Sequence, residues 1–296
     1  VLSHLPKMLQ PENPILLQIG ELDPLFMLSG LLGAQEAGLQ MQTYALDGEE
    51  STLQTVWRLS SSPLKPIGQS LQLCAQQAVQ DLLTQKGEPA THLVLLTQIA
   101  LQAHTKGLLA NQPQAQPNHT LNELQAELER VFLDTTLLTR YNAGATLESG
   151  LYWLAGSPKQ LTPLAEKLET ALLALFAENP HPRDHEVLQK AYLSFPGLLT
   201  PPSELIETVL SAYADKIESE SPTWQLRARE EANARQRDLR EMVTLLEIIA
   251  KRLNYNIKRQ GEVITWHDQS GNLIYSFFLL LTTVITPLIY TYNSFP

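Results

Sequence analysis

Cysteine is nearly missing from this chain: Cys74 is the only one in 296 residues. That excludes a disulfide framework and any cysteine-rich zinc site, and it suits a reducing, cytoplasmic setting. Set among Leu71, Ala75, Ala78 and Val79, Cys74 is expected to be a small apolar residue of a helix core. The glycines form no phosphate-binding loop, and neither a His-Glu-x-x-His pair nor a Gly-x-Ser-x-Gly elbow occurs, so no catalytic residue is assigned. Positive charge is also short. Against 31 Asp and Glu there are 21 Lys and Arg, a net charge of -10, which excludes a protein that coats nucleic acid over its whole surface. The amino terminus lacks the basic-then-apolar order of a signal peptide. With no initiator Met and a final Phe295-Pro296 in mid-pattern, the chain reads as a fragment of something longer.

The longest absence is of charge of either sign, over the 28 residues from Gln269 to Pro296. A bilayer takes about 20 apolar residues, so the run has the length of a span. Its interior argues otherwise. Val263–Trp266 alternates as a strand, Asp268-Gln269-Ser270-Gly271-Asn272 is a hairpin turn, and Leu273–Leu279 is a second strand rich in aromatic and β-branched residues. Only Leu280–Tyr290 is left for a helix, interrupted by Pro287. The expectation is a buried sheet, with no membrane partner.

What is present divides the chain into four. Residues 1–62 read as the end of a Rossmann-like α/β domain: a strand at Ile15–Ile19, a helix opened by Asp23-Pro24, and a hairpin of Leu39–Leu46 and Thr52–Leu59. Residues 63–157 read as a winged-helix-like module. Its first helix runs through Leu71, Ala75, Val79 and Leu82. A second follows Pro89 through Leu93, Leu96 and Ile99, and a third is opened by a Thr120/Glu123 capping box. Two short strands, Leu137–Tyr141 and Gly150–Leu154, complete it. Residues 158–220 are a helical module, and 221–296 a long helix followed by a β-hairpin. The fold class expected is mostly α with α/β ends.

Two places have the composition of a contact surface. The third helix of the winged module turns Asn122, Glu123, Gln125, Glu127, Glu129 and Arg130 outward, and its carboxylates oppose the use of that helix for base reading. Between Trp224 and Gln260 the balance reverses, with nine of the 21 basic residues against five acids. Arg227, Arg229, Arg235, Arg237, Arg240, Lys251 and Arg252 are the expected contacts to the backbone of duplex DNA. The alternative is an ordinary solvated face of weak i,i+4 ion pairs.

Metal chemistry has two weak candidates. His181 and His185 lie beside Asp184 and Glu186 in NPHPRDHE, without a third ligand at fixed spacing. A long helix, a strand, Trp266-His267-Asp268, a turn and another strand follow the order of restriction-endonuclease-like folds, in which a strand Asp and a Glu-x-Lys pair hold a divalent cation. Asp268 is the one candidate ligand. Tyr275-Ser276-Phe277 stands where the acid and lysine belong, so the piece reads as a degenerate nuclease-like core with no metal.

The series WRLSSSPLKP, GEPATHLVLLTQIA, LESGLYWLAG, FPGLLTPP, REEANARQRDLREM and VITWHDQSGNLIYSFF, in this order, resembles the region that follows the catalytic domain in bacterial DNA-methylase-like proteins. These are relatives of the adenine-N6 and cytosine-N4 amino-methyltransferases. The resemblance implies that residues 1–59 close a methyltransferase sheet and that S-adenosylmethionine serves a catalytic half upstream of Val1, with no cofactor in this chain. The family's Asp/Asn/Ser-Pro-Pro-aromatic motif is absent, since Thr200-Pro201-Pro202-Ser203 has the wrong first residue and no aromatic. The resulting expectation is a non-catalytic region of a DNA-modifying or restriction-modification protein that holds or orients DNA. The alternatives are a protein-interaction scaffold without nucleic acid and a metal-dependent nuclease-like domain.

Overall fold

The computed structural model describes residues 13–19, 23–47, 52–60, 69–109, 117–156, 161–218, 222–281 and 283–286. Its contacts divide into two units, one of residues 1–168 with 191–206 and one of 169–190 with 207–296. The division falls within three helices, α5 (Leu164–Glu178), α6 (Asp184–Ser194) and α7 (Ser203–Tyr213), counted in chain order.

The first unit begins with β1 (Ile15–Ile19), α1 (Pro24–Glu36), β2 (Leu39–Asp47) and β3 (Thr52–Leu59). Asp23 caps α1 by accepting the Phe26 N–H at 3.0 Å, and Pro24 supplies a preset φ for the first turn. β3 lies between β1 and β2 and is antiparallel to both, with Ile15 opposite Trp57 and Leu39 opposite Leu59. Leu53 and Trp57 on β3 are buried together with Leu28 and Leu31 of α1. The Trp57 indole N–H is satisfied by the Thr55 hydroxyl at 2.7 Å.

The same core continues into α2 (Leu71–Lys86), β4 (Ala90–Thr91), α3 (His92–Thr105), α4 (Pro117–Glu129), β5 (Leu138–Tyr141) and β6 (Leu151–Leu154). Ser70 caps α2, and Gly87 ends it at φ 71°. A Cβ at Gly87 would stand 2.0 Å from the Thr162 carbonyl oxygen, so only glycine fits there. Cys74 is buried in the α2 face, where burial raises its thiol pKa. β6 is central in a sheet of order β4-β6-β5. Thr91 is both the last residue of β4 and the cap of α3, so the helix expected directly after Pro89 begins at His92. α4 starts at Pro117, which places Thr120 in its first turn and not at its cap.

The second unit contains a hairpin of β7 (Ala214–Ile217) and β8 (Thr223–Leu226), then α8 (Ala232–Arg252) and a meander of β9 (Asn256–Gln260), β10 (Val263–His267) and β11 (Leu273–Phe278). Val243 and Ala250 of α8 are buried against Ile264, Trp266 and Leu279. Asn254, left-handed at φ 58°, turns the chain from α8 into β9. Trp266 lies among Tyr255, Tyr275 and Phe277, with ring centroids 4.6–5.8 Å from its own. The strand–turn–strand expected at 263–279 is present; of the helix expected at Leu280–Tyr290, residues 280, 281 and 283–285 are not helical, and 282 and 287–290 lie outside the described residues.

The class is mixed α/β, not mostly α with α/β ends, because four small antiparallel sheets are spread among the described residues from Ile15 to Phe278. Two of the strand groups, β4 and the β7–β8 hairpin, fall in segments expected to be helical: β4 exists only through β6, distant in sequence, and β7 and β8 exist only through each other. The first sheet, expected as the trailing part of a Rossmann-like methyltransferase sheet, is wholly antiparallel, as is the meander expected as a degenerate nuclease-like core.

Candidate nucleic-acid interface

The basic segment is not one helix. Trp224 belongs to β8, Ala228–Glu230 is a single 3-10 turn, and α8 starts only at Ala232, so Arg227 and Arg229 lie off the helix. Arg227 is spent on structure: its guanidinium donates to Asp215 at 2.8 Å and to the carbonyls of Ser211, Ala212 and Ala214 at 2.9–3.3 Å. Arg229 pairs with Glu230 at 3.2 Å. Arg235 donates to Glu230 at 2.6 Å and to the Leu281 carbonyl at 2.6 Å, with its guanidinium 4.9 Å from the centre of the Tyr213 ring. Arg237 stands 3.5 Å from Asp238 and 4.0 Å from Glu241.

The remaining basic side chains behave differently. Arg240, Lys251, Arg252, Lys258 and Arg259 are exposed, and none has a carboxylate within 4.0 Å among the described residues. Arg240 and Lys251 are eleven residues apart, about three turns, and share one flank of α8. Arg252 is turned about 100° further round the helix. Lys258 and Arg259 follow on β9 after the Asn254 turn. Lys251 and Arg252 occupy the last turn of α8, where cations also meet the negative end of the helix dipole. Sequence reasoning counted Lys258 and Arg259 but did not assign them to the interface. They follow the end of α8 through the tight turn at Asn254.

The outward face of α4 keeps its acidic character. Gln125 donates to Glu129 at 2.7 Å, and Glu129 lies 3.7 Å from the ring of buried His92. In the β5–β6 hairpin Arg140 is held inside the loop, donating to the Ser149 carbonyl at 2.8 Å, to the Ser149 hydroxyl at 2.7 Å and to the Thr146 carbonyl.

In both metal candidates the carboxylates are already engaged. Asp268 sits on the β10–β11 turn and accepts the Asn272 N–H at 2.8 Å and its side-chain amide at 2.9 Å, bonds that hold its pKa below the usual carboxylate value. Asp184 accepts from Trp224 at 2.6 Å and Lys216 at 2.8 Å, and Glu186 accepts the Arg183 N–H at 2.7 Å. Among the described residues no group of three ligating side chains is assembled.

The double proline Pro201-Pro202 lines a cleft of about 490 Å³ in the first unit with Tyr44, Gln54, Tyr192 and Thr200. No charged side chain lines it. Among the described residues no helix is long and apolar enough to cross a membrane. No family model, curated protein or solved structure matches this chain.

Proposed function

We propose that this chain is a non-catalytic region of a DNA-modifying protein that holds duplex DNA by its phosphate backbone. The observation that carries the reading is the sorting of the basic segment: four arginines have carboxylate partners, while Arg240 in the middle of α8, Lys251 and Arg252 in its last turn, and Lys258 and Arg259 on β9 have none among the described residues. The contacts are Arg240 and Lys251, followed by Lys258 and Arg259. The order α2–β4–α3–α4–β5–β6, with β6 between its two neighbours, supports a winged-helix reading of residues 63–157, here without base-reading side chains on α4. S-adenosylmethionine, on this reading, belongs to a catalytic partner region and not to these residues.

Four phosphate contacts give a slope of about -3.6 in log affinity against log salt, so raising salt from about 50 to about 200 mM weakens binding about 150-fold. The test is an electrophoretic shift of duplex DNA by the 296-residue chain. Arg240→Ala and Lys251→Ala each reduce the salt slope by about 0.9, whereas Arg229→Ala, whose guanidinium is already paired with Glu230, leaves it unchanged. Absence of a shift at about 50 mM salt overturns the proposal.

A second reading, a protein-interaction scaffold, is favoured by the acidic outward face of α4 and by the charge of the second unit itself. Twelve basic against fifteen acidic side chains leave that unit at -3. The same shift assay separates the two readings.

A further inference from the structure

α8 carries more apolar surface than its sheet can cover. Val243, Leu246 and Ala250 face the meander, yet Met242, Leu245 and Ile248 are 50%, 49% and 44% exposed on the other side of the helix. With a turn of about 100° per residue, the centre of this outward stripe is Leu245. Met242 borders it on one side and Ile248 on the other, with half-buried Ile249 and exposed Glu241 between these borders and the centre. Asp238 and Arg252 lie on the same line, seven residues before and seven after Leu245, each about 10 Å from it along the axis. Both are exposed; Arg252 has no carboxylate within 4.0 Å among the described residues, and Asp238 has only its exposed neighbour Arg237, at 3.5 Å.

This arrangement is self-complementary in one orientation only. We propose that α8 pairs antiparallel with α8 of a second copy of this chain, about a two-fold axis at Leu245. Leu245 then meets its own counterpart, and Met242 packs beside Ile249 of the other copy. Asp238 stands opposite Arg252 at one end, with the reciprocal pair at the other. In a parallel pairing the same residues would place Asp238 against Asp238 and Arg252 against Arg252. Charge therefore selects the antiparallel dimer while the apolar stripe drives association. The flank holding Arg240 and Lys251 lies outside the stripe, so the pairing does not depend on the nucleic-acid reading and would present that flank twice.

The test is sedimentation velocity on the 296-residue chain over a range of concentration, with circular dichroism to verify that each variant is folded. The expected result is a concentration-dependent dimer. Leu245→Asp sets two carboxylates against each other on the axis and yields a monomer. Asp238→Arg and Arg252→Asp each set like charges together at both ends and weaken the dimer about tenfold. The double exchange Asp238→Arg with Arg252→Asp restores it, and mixing the two single variants forms a heterodimer tighter than either homodimer. A wild-type chain that stays monomeric throughout overturns the proposal. So does a double exchange as weak as the single variants, because the association would then not use this register.

Discussion

Acid should destabilise the first unit through its buried histidines, His104 above all. His104 is fully buried on α3, its ring 5.0 Å from Trp57 and nearly perpendicular to it, and neither ring nitrogen has a hydrogen-bond partner. Burial lowers its pKa from 6.5 to about 4. The sign follows from proton uptake. Below pH 6.5 the unfolded chain binds a proton that the folded chain refuses until about pH 4, so stability at neutral pH is lost progressively as pH falls through that window. The displacement of about 2.5 pKa units corresponds to about 3 kcal/mol, a substantial part of the ~5–15 kcal/mol that holds a typical domain. His104→Leu retains a side chain of comparable size and removes both the titration and the two unpaired nitrogens. Urea unfolding of wild type and variant, at intervals from pH 7.5 to 4, is the assay. Carboxylate titrations are common to both proteins and cancel in the difference. The variant should gain about 3 kcal/mol over wild type between pH 7 and pH 4, and its unfolding should be visible through Trp57. If the two lose stability in parallel, His104 does not carry the acid sensitivity.

Three other outcomes follow from local geometry. Arg235→Ala removes the donor that joins Glu230 to the Leu281 carbonyl and leaves a mostly buried carboxylate with only the exposed Arg229 as its cation. It should destabilise the second unit by about 2 kcal/mol in denaturant unfolding. Gly87→Ala forces a methyl against the Thr162 carbonyl at a left-handed position and should cost at least ~1 kcal/mol, read as a lower melting temperature, whereas Gly38→Ala, with open space around it, should cost less. Asp268 has its pKa depressed by Asn272. Its contribution to the β10–β11 turn is present above the ordinary carboxylate value and lost as pH falls below it. The protection factor of the Asn272 amide, with the intrinsic pH dependence of exchange divided out, should fall in acid in the wild type and be low at all pH in Asp268→Ala.

Elements were legible in the sequence where their own residues carry the signal. α2 shows Leu71, Ala75, Val79 and Leu82 on one face because burial of that face repeats with the helical period. The β10–β11 hairpin was readable because Asp268-Gln269-Ser270-Gly271-Asn272 is turn chemistry, and Asp268 caps it. β4 and the β7–β8 hairpin were not readable. Ala90-Thr91 is too short for any period, and Thr223–Leu226 becomes a strand only because Ala214–Ile217 lies beside it. The interface divided in the same way. Net charge between 224 and 260 was countable, but which arginines are spent depends on partners far away in sequence: Asp215 and the 211–214 carbonyls for Arg227, Leu281 for Arg235.

Met242 shows where periodicity alone misleads. It shares the apolar repeat of α8 with Leu239, Val243, Leu246, Ile249, Ala250 and Leu253, yet Met242 and Leu253 are half exposed. A three-stranded meander covers only one side of a helix of 21 residues, and Val243 and Ala250 define that side. Met242, Leu245 and Ile248 fall beyond it, so the apolar residues of α8 wrap more of its circumference than one sheet can bury. A helix whose only burial is its own sheet has a polar outer face. The apolar outer face of α8, bounded by an acid at one end and a base at the other, has the pattern of a surface shaped by a second helix.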